Sequence, residues 1–304
     1  MAWGCRLFAM PELPEVETIA RGLTQRVTGD VIESVWLGSK PEPLKSPAAE
    51  IAATLEFRRI AGVRRVGKHI VFDLEQNGVA RPPLVAKGKM RRKSPPARAR
   101  RLAPTLRQAQ WIVHLGMTGR IVISEPQAEV AKHTHAILRL ASGRELRFVD
   151  PRRFGRLSVA HGFEAEGSEP LEVELERFVS LFRTRKTPIK SALLNQKLLR
   201  GVGNIYADES LFRAGVRPRR RAASLTREEL RRLYLAVQEV LKEAIALGGS
   251  SVSDYVDADG DEGSFQLQHR VYGREGEPCL VCKTPIKRVV IAGRSRHYCP
   301  KCQK

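Results

Sequence analysis

Pro11 begins the stretch of the chain whose residue types could do covalent chemistry. It follows Met10 and is followed by Glu12 and, three residues later, Glu15. If translation starts at Met10 and that methionine is removed, Pro11 carries a free secondary amine, which can attack an electrophilic carbon and form an iminium. A terminal amine has a pKa about two units below that of lysine, so more of it is unprotonated at neutral pH. The alternative is an ordinary helix start, because proline suits the first turn and acids suit its positive end.

Four cysteines near the end of the chain form two Cys-x2-Cys pairs. Sixteen residues separate the pair Cys279 and Cys282 from the pair Cys299 and Cys302. Two such pairs at this distance are typical of a tetrahedral zinc–thiolate site, in which each tight turn supplies two thiolates. Four protein ligands leave no position for substrate, so the predicted cofactor is one structural Zn2+. A pair of disulfides is the alternative, which an intracellular location disfavours.

A glycine-rich turn before Asn204 could bind a phosphate group. The segment 201–203, Gly-Val-Gly, precedes a predicted helix whose first turn offers free backbone N–H groups, with the Asn204 amide beside them. Glycine is common in helix-to-helix turns, so the segment alone says little. Arg185 and Lys190, on the helical segment before it, add positive charge. Together these residues indicate a clamp for the DNA backbone.

Two further turns carry apolar and cationic side chains that could fill a gap in DNA. The segment 150–155, Asp-Pro-Arg-Arg-Phe-Gly, contains Arg152 and Phe154, and the segment 114–117, His-Leu-Gly-Met, follows a strand and ends in Met117. An apolar wedge with an arginine and an aromatic ring is what a protein needs to replace an extruded base. Ordinary core packing of Met117 and Phe154 is the alternative that these residues leave open.

The composition indicates a polyanionic partner. The 304 residues include 53 lysines and arginines against 33 acidic residues, a net charge of +20, and nucleic acid is the simplest partner for such a charge. No apolar stretch approaches the length of a membrane-spanning helix, and Met1–Ala9 is too short to be a signal peptide. We therefore expect an intracellular protein that binds nucleic acid, without a membrane partner.

A strand-rich first half of the chain is followed by a helical second half. Apolar residues repeat at spacings of three and four after Leu13, which predicts a helix to about Gly29. Short apolar runs between turn signals predict an antiparallel sandwich or barrel, with strands at Val31–Trp36, Thr54–Ile60, His69–Leu74, Trp111–Leu115, Arg120–Ser124, Ala136–Leu140 and Glu145–Val149. Helical spacing returns after about Gly162, in the ranges Leu171–Thr184, Pro188–Leu199, Ile205–Ala214 and Leu225–Leu247. The predicted fold class is α+β with two domains.

Residues 85–110 interrupt this pattern. The segment has nine lysines and arginines, no acidic residue and three prolines. It cannot bury a core, so we predict a disordered or loosely ordered loop. Removing its nine charges from the net +20 leaves +11, so the rest of the protein is basic in its own right. Either the insertion is a solvated loop or it adds attraction for phosphates, and both interpretations remain open.

In combination, these motifs resemble the formamidopyrimidine-DNA glycosylases, the Fpg or MutM branch of the Fpg/Nei family. The resemblance runs from Met10 to Lys304 apart from the insertion, and it rests on the motifs PELPEVET, RRVGKH, HLGMTG, DPRRFG, GVGNIYADESLF and GRSRHYCPKCQK. It implies an N-terminal β-sandwich with flanking helices, a helix–two-turns–helix domain and a terminal zinc finger, with DNA in the cleft between the two main parts. We expect domain boundaries at 10–160, 170–268 and 269–304.

The resemblance also implies roles for individual residues. Pro11 would attack C1′ of the damaged nucleotide, Glu12 would be the general acid that helps open the sugar ring, and Glu15 matches a second acidic residue near the nucleophile. Lys68 matches a lysine linked to phosphate binding and β-elimination, and Arg294 an arginine linked to phosphate binding and δ-elimination. Contacts with DNA are implied for His114, His133, Arg185, Lys190, Asn204 and Tyr272, and filling of the gap beside the orphaned base for Met117, Arg152 and Phe154.

The activity that the resemblance implies is excision of oxidised purines, chiefly 8-oxoguanine and formamidopyrimidines, followed by β,δ-elimination at the abasic site in double-stranded DNA. A Nei-type glycosylase for oxidised pyrimidines is the enzymatic alternative. A non-catalytic zinc-ribbon protein that binds damaged DNA is the other. The implied chemistry needs a free amine on Pro11, so we expect Met10 to be the true start, or processing after it, with Met1–Ala9 absent from the active enzyme.

Overall fold

The structure is a computed structural model that describes residues 10–76, 109–251, 262–291 and 293–304. Within these ranges the chain forms a β-sandwich, a helical region and a terminal hairpin. Residues 1–9, most of the basic insertion and residues 252–261 lie outside the described part, and so do the expectations that concern them. No helix in the described ranges is both long and apolar enough to cross a membrane.

Two four-stranded antiparallel sheets make up the sandwich. The strands are β1 (Ile32–Leu37), β2 (Arg58–Val66), β3 (His69–Gln76), β4 (Ala109–His114), β5 (Arg120–Ser124), β6 (Thr134–Leu140), β7 (Glu145–Val149) and β8 (Arg156–His161). One sheet has the order β1–β6–β7–β5 and the other β2–β3–β4–β8. Phe72 and Trp111 from one sheet and Phe148 from the other are buried in one shared core. The predicted antiparallel sandwich is therefore confirmed.

The first helix, α1 (Leu13–Val27), packs along the sandwich. Val16, Ile19 and Leu23 lie on one face of the helix and are buried in the sandwich core. Complete burial of each such side chain contributes about 1.5–3 kcal/mol. Leu13 belongs instead to the core of the helical region, so the first turn of α1 lies where the two halves of the protein meet. The helix thereby holds the preceding residue, Glu12, at this junction.

The prediction of a strand at Thr54–Ile60 is wrong. Residues in that range are divided between a helix, α2 (Ala48–Leu55), and the start of β2, with a break at Phe57, whose φ is +61°. Ile51 and Leu55 are four residues apart and both are fully buried, so the apolar positions follow a helical period and not an alternating one. The strand β8 (Arg156–His161), which was not predicted, pairs with β4.

The predicted insertion 85–110 extends two residues too far. Ala109 and Gln110 are the first residues of β4 and both are buried. The Gln110 amide donates to Asp73 Oδ1 at 2.7 Å and accepts from the Phe163 backbone N–H at 2.5 Å. Gln110 is polar in the sequence, so composition alone places it in the loop, but it is buried because both ends of its amide are hydrogen-bonded.

The helical region contains α3 (Leu175–Phe182), α4 (Ile189–Leu193), α5 (Asn204–Arg213) and α6 (Arg227–Ala246). Thr226 caps α6, because its hydroxyl accepts from the Glu229 N–H while the Glu229 carboxylate accepts from the Thr226 N–H. The predicted helix Pro188–Leu199 is shorter than expected: α4 ends at Leu193, and the Asn195 side chain accepts from the Lys197 N–H in a turn. Segments on both sides of this turn enter one apolar core.

The last part of the chain is a two-stranded antiparallel hairpin, β9 (Lys287–Ile291) and β10 (Arg294–Tyr298). Cys279, Ile286 and Cys299 form a small buried cluster with Phe212 of α5 and Val271. The residues that flank the hairpin therefore pack against the helical region.

A group of buried ion pairs joins the sandwich to the segment that leads into the helical region. The Arg65 guanidinium of β2 bonds both oxygens of Glu169, at 3.0 and 2.8 Å, and also Glu17 of α1 at 2.8 Å. Arg200 lies 3.3 Å from the same Glu169 carboxylate. Bidentate arginine–carboxylate pairs fix direction as well as distance. This contact holds the two halves together close to the β2–β3 turn, which carries Lys68.

Candidate active site

Two buried carboxyl groups from the start of α1 form the centre of the site. Glu12 and Glu15 are 3% and 2% exposed. Glu12 accepts from the backbone N–H groups of Ile205 at 3.1 Å and Tyr206 at 3.5 Å, in the first turn of α5. Glu15 accepts from the Glu12 N–H at 2.9 Å, from the Ser250 N–H at 2.8 Å and from the Tyr206 hydroxyl. Glu12 thus lies at the positive end of the α5 dipole. Glu15 connects the backbone of Glu12 with Tyr206 of α5 and with Ser250.

Burial gives Glu12 a pKa suited to proton transfer at neutral pH. Loss of solvation raises the Glu12 pKa to about 7, with the Lys68 ammonium opposing this rise and the neighbouring Glu15 adding to it. Burial also raises the pKa of Glu15, against the hydrogen bond from Tyr206. A general acid works best when its pKa lies near the working pH. Glu12 can therefore hold and release a proton under ordinary conditions.

Glycine is required where α5 meets α1, because the two backbones come close together. A Cβ on Gly203 would collide with the Glu12 carboxyl group, and a Cβ on Gly201, whose φ is +90°, would collide with the Leu13 side chain. The Gly201 carbonyl accepts from the Leu13 N–H at 3.0 Å. The glycines interpreted from sequence as a phosphate-binding turn thus bring the N–H groups of α5 onto Glu12.

Lys68 and Arg294 line one cavity together with Met10. The cavity has a volume of about 400 Å³, and its wall also includes His69, His114 and Arg200. Lys68 occupies the β2–β3 turn, where Gly67 has a φ of +61°. Burial lowers the pKa of Lys68, Glu12 opposes that effect, and the nearby Arg294 adds to it. A basic cavity beside Met10 is suited to a phosphate-linked sugar.

Asn204, Tyr272 and His114 supply further polar groups near this cavity. The Asn204 amide donates to Ser295 Oγ at 3.1 Å, next to Arg294. Burial raises the pKa of Tyr272 to about 12, and contact with Asn204 opposes this rise. His114 Nδ1 accepts from the Gly116 N–H at 3.0 Å, so the proton of the neutral ring lies on Nε2. Burial, with His69 and Lys68 adding, lowers the pKa of His114 to about 4, and the ring is neutral at pH 7.

Lys190 does not lie where a DNA contact was expected. It is fully buried, with Nζ 2.8 Å from Asp208 Oδ1 and 2.7 Å from the Ser295 carbonyl oxygen. An ammonium group in this position contacts protein atoms and is closed to a phosphate. The expectation arose because its partners, Asp208 and Ser295, are distant in sequence. Tyr272 is also largely buried, at 3% exposure, so little of its side chain is open to DNA.

The wedge residues Met117, Arg152 and Phe154 lie on two turns at one end of the sandwich. Phe154 is 49% exposed, Met117 is half-buried and Arg152 is exposed, so core packing is excluded for Phe154. The Arg152 guanidinium lies 4.9 Å from the centre of the Phe154 ring, as in a cation–π pair. The buried Asp150 carboxylate shapes the turn by accepting from Gly155 N–H at 2.7 Å.

His133 and Arg185 are both exposed at the surface. The His133 carbonyl oxygen accepts from the Asp150 N–H at 2.9 Å, which places His133 beside the wedge. Arg185 follows α3 and its Nε donates to the Leu181 carbonyl at 3.4 Å. Both side chains are accessible to a nucleic acid backbone, in contrast to Lys190.

The four cysteines converge as the spacing predicted. The Sγ atoms of Cys279, Cys282, Cys299 and Cys302 all lie within 4.8 Å of one another, and the structure pairs none of them in a disulfide. Gln303 supports the site, because its side chain accepts from the Cys299 N–H at 2.8 Å and donates to the Val216 carbonyl at 2.9 Å. Four sulfur atoms converging from two turns fit a tetrahedral structural zinc site.

Three residues of α5 belong to the site but were not singled out from the sequence. Tyr206 bonds Glu15, Asp208 bonds Lys190, and Glu209 accepts from the backbone N–H groups of residues 270–272 at 2.8–3.0 Å. For Asp208 and Glu209 the signal in the sequence is two adjacent acids in a helix with a run of apolar neighbours. Buried acids need partners, and this rule could have marked the pair.

Three family profiles match successive parts of the chain. Residues 10–157 match the profile of the formamidopyrimidine-DNA glycosylase N-terminal domain, residues 167–256 that of the formamidopyrimidine-DNA glycosylase H2TH domain, and residues 276–304 that of a zinc finger found in FPG and IleRS. A formamidopyrimidine-DNA glycosylase of Solibacter usitatus is 42% identical over 305 residues, covering 97% of this chain and 100% of the relative. One from Desulfitobacterium hafniense is 41% identical over 310 residues, with coverage of 97% and 100%.

Solved structures are similar over nearly the whole length. The MutM (Fpg) protein of Thermus thermophilus has a TM-score of 0.78 and 41% identity, covering 96% of this chain and 98% of that one. Lactococcus lactis Fpg in complex with DNA containing an abasic site has a TM-score of 0.81 and 29% identity, with coverage of 96% and 99%. By full-length similarity, domain content and the convergence of its motifs, this chain belongs to the formamidopyrimidine-DNA glycosylase family.

Proposed function

We propose that this protein excises oxidised purines from double-stranded DNA and then cleaves the strand at the resulting abasic site. The observation that carries the proposal is the placement of Glu12: a buried carboxyl group with a pKa of about 7, next to the predicted nucleophile Pro11 and coupled to Lys68 of a basic cavity. Acid, amine and phosphate-binding cations are the groups that a glycosylase with lyase activity needs.

Base excision begins when the Pro11 nitrogen attacks C1′ of the flipped nucleotide. The bond between C1′ and the base breaks, and its electrons leave with the base, which takes up the proton that the Pro11 nitrogen loses. Glu12 then gives its proton to the sugar ring oxygen as the ring opens. The electrons of the ring C–O bond go to that oxygen, and the iminium of Pro11 and C1′ results. Loss of a C2′ proton expels the 3′-phosphate in β-elimination, and a further elimination expels the 5′-phosphate. Neither elimination consumes water or an oxidant.

Lys68 and Arg294 assist the two eliminations in this proposal. Both side chains line the cavity in which the sugar would lie, and both cations would stabilise the phosphates as they leave. Asn204 and His114 would hold the flanking phosphates, and the buried Tyr272 would support Asn204 from the protein side. Other DNA contacts would come from the exposed residues His133 and Arg185.

The wedge would support flipping of the damaged nucleotide. Insertion of Met117 and Phe154 into the stack replaces the contacts of the extruded base, and Arg152 faces the orphaned partner base. A damaged base costs less to flip, which contributes to selectivity. An exposed Phe154 ring is what such a role requires.

Zn2+ would supply folding free energy to the hairpin and take no part in the chemistry. We expect Cys279→Ser to unfold the hairpin, remove the metal and weaken DNA binding by at least about tenfold, because Arg294 loses its position. Zinc analysis and DNA titration of the variant measure both effects. A variant that loses zinc and still binds DNA normally would contradict this role.

The proposed nucleophile requires a chain that starts at Pro11. Two observations support removal of the preceding residues: the N-terminal domain profile matches from residue 10, and Met10 itself lines the cavity of Lys68 and Arg294. Removal of Met10 would both free the amine and open it to this cavity. N-terminal sequencing of active native protein tests the point, and an intact Met1 on active protein would overturn the role of Pro11.

Borohydride trapping tests the proposed function directly. The native protein should form a covalent adduct with duplexes that contain 8-oxoguanine opposite cytosine, and mass analysis should place the adduct on the peptide that begins with Pro11. Pro11→Gly should weaken trapping. Trapping only with thymine-glycol duplexes would indicate the Nei-type alternative, and binding without any adduct would indicate the non-catalytic one.

We further propose that the working enzyme is a monomer with domains 10–160, 170–268 and 269–304. A DNA-repair enzyme of this bacterial family acts in the cytoplasm, and association with the nucleoid through DNA is part of the proposal. Size-exclusion chromatography with light scattering tests the monomer, and a dimeric mass would contradict it.

A further inference from the structure

Asp208 of α5 occupies the centre of a buried ionic network that no step of the proposed mechanism uses. Its side chain is fully buried. Oδ1 lies 2.8 Å from Lys190 Nζ, and Oδ2 accepts from the His297 backbone N–H at 2.9 Å and lies 3.3 Å from His297 Nδ1. One carboxylate therefore connects α4, α5 and the hairpin strand β10.

The same network fixes β10 from a second direction. Lys190 Nζ donates to the Ser295 carbonyl at 2.7 Å, and the Asn204 amide donates to the Ser295 hydroxyl at 3.1 Å. Ser295 directly follows Arg294, whose side chain lines the cavity. The backbone on the C-terminal side of Arg294 is thus held at residue 295 by Lys190, the partner of Asp208, and at residue 297 by Asp208 itself, while Asn204 adds an independent contact to the Ser295 side chain.

Charge balance explains why Asp208 is needed there. Lys190 and the Arg296 guanidinium both lie close enough to interact with Asp208, and Arg296 disfavours the charge of Lys190. Arg296 is itself 2% exposed and donates to Ser191 Oγ at 2.8 Å. Glu12 also attracts Lys190, at longer range. Without Asp208, two buried cations would repel each other where β10 must lie flat on α5.

We propose that Asp208 is a positioning residue for the second elimination: by locking β10 against α5 it holds the Arg294 guanidinium at the cavity. The inference rests on the proposed function, because Arg294 is the group assigned to δ-elimination. Misplacement of a reacting group by about 1 Å can cost on the order of 100-fold in rate. Pro11, Glu12 and Lys68 are held by other contacts, so excision and β-elimination should be affected much less.

The test compares Asp208→Asn with the double variant Asp208→Asn/Lys190→Met. Asp208→Asn keeps the shape of the side chain but leaves Lys190 and Arg296 unbalanced, while the double variant removes one of the two cations and is therefore the safer one to fold. Glu243→Gln is the matched control. It breaks a surface ion pair with Arg213, which lies on α5 like Asp208. Zinc content and thermal melting report whether the hairpin is intact.

Single-turnover assays on abasic duplex DNA should separate the two eliminations. In both variants we expect the ratio of δ- to β-elimination product to fall by about 10- to 100-fold, with borohydride trapping within a few-fold of the parent protein and zinc retained. Glu243→Gln should keep the parent ratio. An unchanged product ratio in the folded double variant would overturn the proposal. Absence of trapping in the parent protein would instead overturn the proposed function itself.

Discussion

The acid cluster at Glu12 and Glu15 and the wedge at Met117, Arg152 and Phe154 solve opposite problems. Each carboxyl group is buried and bonded to backbone N–H groups or the Tyr206 hydroxyl before DNA arrives. The wedge side chains are partly or largely exposed, and Phe154 contacts only Arg152 among aromatic or cation–π partners in the described residues. Burial tunes a pKa, whereas exposure leaves apolar area free to be buried in the substrate. The carboxyl groups are therefore preorganised for their chemistry, whereas the wedge side chains would gain their contacts from the substrate.

Loss of the Glu12 proton should have the largest effect on activity. Glu12→Gln keeps the size of the side chain but cannot give a proton to the sugar, so excision of 8-oxoguanine should fall by about 10²- to 10⁴-fold. Single-turnover excision with saturating enzyme measures this, with DNA affinity as the control. Excision within threefold of the parent rate would show that the buried acid is not the proton donor.

The same variant should gain stability in a pH-dependent way. Because folding raises the pKa of Glu12 from 4.5 to about 7, the folded state binds its proton more tightly, and Glu12 lowers stability progressively as the pH rises from about 4.5 to 7. Above pH 7 the penalty is constant at about 3 kcal/mol. Glu12→Gln removes it, so the variant should be more stable at pH 8 and gain little at pH 4.5. Denaturant unfolding at both pH values measures the difference, and equal gains would contradict the burial argument.

Removal of the Phe154 ring from the wedge should lower activity without lowering stability. Phe154→Ala should lower kcat/KM on duplex DNA by about tenfold, because stacking of an aromatic ring on a base is worth about 1–3 kcal/mol. Its effect on the free energy of unfolding should stay within about 0.5 kcal/mol, because the ring is exposed without DNA. Trp36→Ala, which removes another half-exposed aromatic side chain, is the matched control and should leave kcat/KM unchanged. A large loss of stability in Phe154→Ala would place the ring in the core.

The smallest effect is expected from the basic insertion. Deletion of residues 85–108, which spares the buried start of β4, should flatten the dependence of DNA affinity on salt concentration while leaving excision in place. Titrations from about 50 to 200 mM salt measure the slope. Loss of excision would mean that the insertion supports the active site and is not merely an added source of charge.

Local signals predicted elements, and distant partners decided the site. The strands β5 and β7 match their predicted bounds because alternation and flanking turns lie within a few residues. The cysteine cluster was predicted for the same reason, since two turns and one hairpin suffice to build it. The sequence alone predicts a DNA contact for Lys190, because nothing within its own helix shows that its ammonium group has protein partners. These partners are Asp208, eighteen residues later, and the Ser295 carbonyl, 105 residues later. Likewise, the pKa of Glu12 depends on burial against α5, and the residues next to Glu12 in the sequence do not predict that burial.

Gly203 limits how the two halves of this enzyme can be exchanged with those of relatives. The N–H groups that bind the Glu12 carboxyl group belong to α5, so the acid of one half is tuned by a helix of the other, and the absence of a side chain at Gly203 allows the approach. The two halves are therefore not interchangeable modules. Chimeras that join the sandwich of this protein to the helical region of a relative should be active only when the contact between α1 and α5 is inherited from one parent.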